Sequence, residues 1–146
     1  MDTITLSEAN RMISGALAHG ARIEAPALAV VVLDAGGHLI AAQRQDGCTF
    51  LRVSIALGKA WGALGLGASS AQIGEIATQR PLLFQALSEM SAGRIVPVPG
   101  GVLVANSSGT LAGAVGVSGA TSEIDEACAR AAVQAAGLAV HGESRA

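Results

Sequence analysis

An α+β fold follows from three features of the sequence: a helix-capping signature near the start, two apolar runs that each break at a tight turn, and helical apolar patterns between and after them. Thr5-Leu6-Ser7-Glu8 reads as a capping box, in which the Thr5 hydroxyl and the Glu8 carboxylate each serve a free backbone N–H. Ala9, Met12, Ile13, Ala16 and Leu17 recur at helical spacing, which predicts a first helix over about residues 6–20 with Gly20 as its stop. Ala27 to Leu33 is a continuous Val-rich run ending at Asp34-Ala35-Gly36-Gly37, and His38 to Arg44 alternates weakly; together they predict a β-hairpin, closed by Asp46-Gly47.

From Thr49 the pattern turns helical, with Phe50, Val53, Ala56 and Ala60 on one stripe and Leu57, Trp61 and Leu64 beside it. Gly58, Gly62, Gly65 and Gly67 each weaken an exposed helix by roughly 1 kcal/mol, so their spacing predicts that another element packs closely there. Ser69 or Ser70 caps a further helix to about Gln79, Arg80-Pro81 breaks it, and Leu82 to Met90 supplies one or two more turns. Ile95 to Gly101 is extended, and Pro97 and Pro99 assign it to an edge or a loop. Gly101 to Ala105 and Thr110 to Val117 predict two strands around Asn106-Ser107-Ser108-Gly109. Ser122 caps the last helix, Glu123, Asp125 and Glu126 suit its positive end, and Ile124, Ala127, Cys128, Ala131, Ala135 and Leu138 form its apolar face. His141 to Ala146 is expected to fray. The segments Val32–Ala42 and Val104–Ala114 align without gaps, which places two hairpins of the same turn register in one antiparallel sheet. The order is helix, two strands, helices, about three strands, helix.

Composition narrows the function. The 146 residues suit one domain over 1–146, with an ordered core from about 5 to 140. Apolar residues make up 51% and charged residues 14%, which excludes disorder for most of the length. Nine Lys+Arg against eleven Asp+Glu, with one Trp, two Phe and no Tyr, leave neither a phosphate-binding footprint nor a base-stacking platform, so no nucleic-acid partner is expected. Thirty alanines and 19 glycines give close packing but modest burial per residue, and such a chain gains stability by associating with copies of itself. Cys48 and Cys128 form no CxxC, and the first residues lack a basic region followed by an apolar core. No apolar run reaches the roughly 18–20 residues of a membrane span. A soluble, cytoplasmic protein without membrane contacts is the expectation.

Val31-Val-Leu-Asp34-Ala-Gly-Gly37-His-Leu, Arg44-Gln-Asp46-Gly47, Ala56-Leu-Gly58-Lys59-Ala60, Pro99-Gly100-Gly101-Val-Leu and Gly116-Val-Ser-Gly119 stand in an order and spacing that resemble the GlcG/HbpS family of haem-binding proteins. The C-terminal domain of PduO-type proteins belongs to the same group. The resemblance spans about residues 5–140. It implies a five-stranded antiparallel sheet flanked by helices, in the order α-β-β-α-α-β-β-β-α, assembly into homo-oligomers, and haem or a similar tetrapyrrole as ligand. It also offers His19 as an axial ligand to haem iron, because some PduO-type domains carry a histidine ligand in the first helix; by its own position His19 equally reads as a surface histidine favoured by the helix C-terminal dipole.

The residues carry further readings. Lys59 is the only lysine, set among Ile55, Ala56, Gly62 and Ala63; desolvation there lowers its pKa and suits it to proton transfer or anion binding, or else its stem simply covers apolar surface. Arg44 suits a carboxylate or haem propionate. Asp46 suits an acid, a base or a partner of Lys59, whereas Asp34 reads as a turn residue bonding its own backbone. Cys48, shortly before a helix, is either a reactive thiol or a small buried residue. Gly101 and Ser118 line a ligand if the glycine-rich turns admit one, and otherwise serve turn chemistry. His38 is a weaker ligand candidate and His141 none. Separated histidines give no metal-ligand spacing. Beside haem binding, the residues allow a cofactor-free lyase, isomerase or hydrolase acting on a small carboxylate in a catabolic pathway. There Arg44 holds the acid while Lys59 and Asp46 move protons. An assembly protein without chemistry is the third reading.

Overall fold

A computed structural model describes residues 3–143. The chain runs α1 (Leu6–Arg22), β1 (Ala29–Asp34), β2 (Leu39–Arg44), α2 (Leu51–Leu66), α3 (Ser70–Gln79), α4 (Pro81–Met90), β3 (Gly101–Ala105), β4 (Leu111–Ser118), α5 (Ser122–Ala135) and β5 (Ala139–Val140). The strands form one antiparallel sheet in the order β2-β1-β4-β3-β5. The α+β class and the five-stranded sheet are as expected. One strand is placed differently: the fifth is Ala139–Val140, after the last helix, and Ile95–Gly100 joins no strand. Its two prolines deny it ladder donors, and it lies against the helices instead, where Val96 donates its N–H to the Gly58 carbonyl.

Both faces of the sheet are covered, which explains the unbroken apolar run of β1: successive side chains point to opposite faces. Val30 and Val32 join Met12, Ile13, Val115, Val117, Cys128 and Ala132 beneath α1 and α5. Val31 and Leu33 join Ala56, Ala60, Ala63 and Leu103 beneath α2. Gly58 and Gly62 are the close-packing glycines of α2, where added Cβ atoms would strike Val96 and Ile95. Gly65 meets nothing, and Gly67 is the left-handed residue that ends the helix.

Capping places several boundaries. Thr5 and Glu8 form the expected box, and Ser69 with Gln72 forms a second. Thr121 rather than Ser122 caps α5, its hydroxyl accepting from Ile124. Helix α1 continues past Gly20 to Arg22, because Gly20 serves the approach of Leu28 rather than the helix end. The segment expected to fray is tied down through 143: His141 donates its N–H to the Leu103 carbonyl, and Arg130 pairs with Glu143 at 2.6 Å. Residues 144–146 of that expected tail lie outside the described residues.

The two hairpins share one turn design. Asp34 Oδ1 accepts from the N–H groups of Gly36 and His38, as Asn106 Oδ1 does from Ser108 and Thr110. Gly37 and Gly109 both sit at positive φ, 83° and 80°, and each ladder shifts register just before its turn. The Asp34 carboxyl is held below its usual range, chiefly by the His38 N–H. A group so depressed adds stability above the ordinary carboxylate range and loses it as pH falls through the folded value. Asp34→Asn should keep the turn, as Asn106 does, and remove that acid sensitivity. Asp34→Ala should cost about 1 kcal/mol. Thermal melts of both variants at pH 7 and pH 3 check this; equal behaviour of the two at pH 7 would count against the turn bonds.

Candidate functional site

Lys59 is buried, not exposed to ligand: it and Asp125 each retain only 2% of their side-chain surface. Its ammonium donates to Asp125 Oδ2 at 3.0 Å and to the Val117 carbonyl at 2.9 Å. Asp125 Oδ1 accepts from the Ala120 N–H at 3.0 Å. Burial pushes the lysine pKa down, Asp125 pulls it back up, and Arg52 lowers it further. The pair joins α2 to α5 across the sheet, and a missing side chain opens the way. At Gly100, with φ at 129°, a Cβ would stand 2.8 Å from Lys59 Nζ and 2.7 Å from the Val117 oxygen.

The expected partnership of Lys59 with Asp46 is therefore replaced by one with Asp125. Asp46 and Arg44 are exposed and flank a shallow depression with Ala27 and Gln45. Gly101 is a packing residue: a Cβ there would stand 2.5 Å from the Lys59 carbonyl, and its N–H donates to Ser70 Oγ at 2.7 Å. Ser118 is fully buried, with Arg52 Nη1 at 3.4 Å from its hydroxyl. Cys48 is a half-buried free thiol in the turn before α2, its N–H bonded to the Gln45 carbonyl. Cys128 is buried, and that burial pushes its thiol pKa up. Among the described residues no three His, Cys, Asp or Glu side chains gather as a metal site, and no helix is long and apolar enough to cross a membrane.

His19 lies elsewhere, in a shallow trough of about 650 Å³ between α1 and α5. The trough has a floor of small side chains, including Gly15, Ala18, Ala131 and Ala135, because the two helices pack so closely that a Cβ on Gly15 would collide with Ala135. Arg22 and Arg130 stand at its sides. His19 and Arg22 are one helical turn apart and legible as neighbours; Arg130 arrives from α5 and was not singled out in the sequence. One signal was present: on the predicted last helix, Arg130 stands one turn beyond Ala127 of the apolar face.

A curated 15.0 kDa protein of Citrobacter freundii, encoded between dhaT and dhaS and described as uncharacterized, is 35% identical over 131 residues, 90% of either chain. The crystal structure of the Klebsiella pneumoniae protein ORFY superposes with a TM-score of 0.85 at 31% identity, covering 94% of this chain and 92% of that one. A PduOC structure in complex with haem also superposes at 0.85, with 21% identity and coverage of 95% and 99%. The HbpS-like family model, described as haem-degrading protein, matches residues 4–134. The chain belongs to the HbpS-like family.

Proposed function

We propose that the protein binds haem in the trough between α1 and α5. The observation that carries this reading is His19, set over a floor of small residues with Arg22 and Arg130 beside it. The donor set fits the group: an imidazole for iron, two guanidinium groups for propionates, and a floor of small side chains that a planar macrocycle can approach closely. The Arg130–Glu143 pair is half-exposed, so it holds Arg130 weakly and a propionate can take the place of Glu143. Haem, when bound, supplies a redox-active iron; the chain's residues hold it and keep water from one face. Family membership and the haem complex of the PduOC relative support the reading.

The trough is open on its outer side, so a second copy of the chain would have to cover the other face of the ring. Self-association has separate support in α4, a helix with no buried residue, on which Leu82 and Met90 are 82% and 81% exposed. The two free thiols are consistent with a cytoplasmic location.

Titration of the purified protein with haemin, followed by absorbance, should give a saturable, stoichiometric shift of the Soret band. His19→Ala should weaken binding at least about tenfold and change the spectrum, while Arg22→Ala and Arg130→Ala should each cost about three- to tenfold. A flat titration, or a His19→Ala spectrum identical to that of the unsubstituted protein, would overturn the assignment.

A further inference from the structure

A second cleft, of about 660 Å³, opens on the opposite side of the sheet, between α2, the tip of the first hairpin and residues 93–96. Its walls are mostly apolar, formed by Leu39, Ile55, Leu57 and Val96 together with Trp61, the only tryptophan of the chain, with Ser54 as a neutral polar residue among them. No acidic residue lines it. The Arg94 guanidinium lies over the Trp61 ring, 4.1 Å from its centroid, and Arg94 Nε donates to the Ser91 carbonyl at 2.8 Å. Among the described residues Arg94 has no carboxylate within ion-pairing distance. His38 also reaches the cleft, but its Nδ1 stands 3.3 Å from Asp34 Oδ1, so its charge is already matched when protonated.

We propose that this cleft binds a small monocarboxylate with an apolar body, an aromatic acid above all, whose carboxylate pairs with Arg94 and whose body lies against Trp61. A guanidinium fixed through Nε and by stacking presents its remaining N–H groups as a planar fork, which matches a carboxylate. One unpaired cation answers one negative charge; a phosphate monoester would leave a second charge unmatched beside apolar walls. The volume suits a small molecule partly enclosed by side chains. The site shares no residue with the trough that holds His19, so it does not depend on haem binding.

The sole tryptophan makes the test direct. With haem-free protein titrated with 3-phenylpropionate, the Trp61 fluorescence should change saturably, and the uncharged 3-phenylpropionamide should bind at least about tenfold more weakly. Arg94→Gln should remove that preference by weakening the acid about tenfold and leaving the amide unchanged, while Arg94→Lys should retain part of it. Arg94 is exposed, so the variants should fold; Leu39→Glu, also at an exposed position, offers an independent check by placing a negative charge in the cleft, and should likewise lose the acid. No saturable change, equal binding of acid and amide, or an acid affinity that Arg94→Gln and Leu39→Glu both leave intact would overturn the proposal. Repeating the titration on His19→Ala should reproduce the unsubstituted protein, which separates this site from the haem site; a lost acid response there would overturn their independence.

Discussion

Replacing Lys59 with methionine should lower the unfolding free energy by about 3–5 kcal/mol, because it leaves Asp125 as a buried carboxylate without a cation. Methionine fills much of the volume of the stem, so the loss reports the charge rather than a cavity. Asp125→Asn in the same background should return a large part of the deficit: it removes the stranded charge and can still accept the Ala120 N–H. Urea unfolding of the two single variants and the double variant closes the cycle. A Lys59→Met protein as stable as the parent would show that the pair contributes nothing. The alkaline limb carries a second signature. Burial, opposed by Asp125, holds the Lys59 pKa below its ordinary value, so between the two values the unfolded chain binds more protons than the folded one. Stability therefore rises with pH across that window, and Lys59→Met should flatten the rise. In the enzyme reading Lys59 moves protons on a substrate; a lysine closed off at 2% exposure and paired with Asp125 predicts lost stability instead.

A single methyl group at position 116 should be nearly as damaging. In β4, Gly116 lies directly under α2, and a Cβ there would run into the Ala56 carbonyl oxygen and approach the Ala60 side chain. The first obstacle is backbone and cannot rotate aside, so α2 must lift from the sheet and loosen the layer of Ala56, Ala60 and Ala63. Gly116→Ala is expected to cost about 3 kcal/mol or more. Gly65→Ala, in α2 itself and with nothing within 4 Å, should stabilise by about 0.5–1 kcal/mol. Parallel thermal melts compare them; opposite signs are expected, and equal shifts would refute the close approach of α2.

Local signals carried most of the fold. The Thr5 box, a serine cap at Ser69 or Ser70, the Ala27–Leu33 run and the paired turns at Asp34 and Asn106 are short-range chemistry, readable wherever four to seven residues suffice, whereas the Gln72 half of the second box shows only in the structure. The fifth strand was not readable, because Ala139–Val140 offers two residues and no alternation, while Ile95–Gly100 is extended for another reason: it is pinned to the glycine side of α2. The site residues divide the same way. Lys59 was marked by its apolar neighbours, but its partner lies 66 positions away. A clue to Asp125 existed, since Cys128, Ala129 and Ala132 follow it at three, four and seven residues on the buried side of α5. An acid in that register calls for a buried cation, and the chain has one lysine. Its nearness to the helix start made dipole compensation the simpler explanation.

The seating of Val96 and Ile95 against Gly58 and Gly62 also bears on how fast the Trp61 cleft fills. Its far wall is clamped to α2 by packing and by the Val96 N–H, so the opening has its working width before any guest arrives. The ordering entropy is spent during folding rather than at each encounter. Association should then be a one-step collision whose observed rate rises linearly with guest concentration, with no plateau from a slow opening step, and differences among guests should lie in how long they stay.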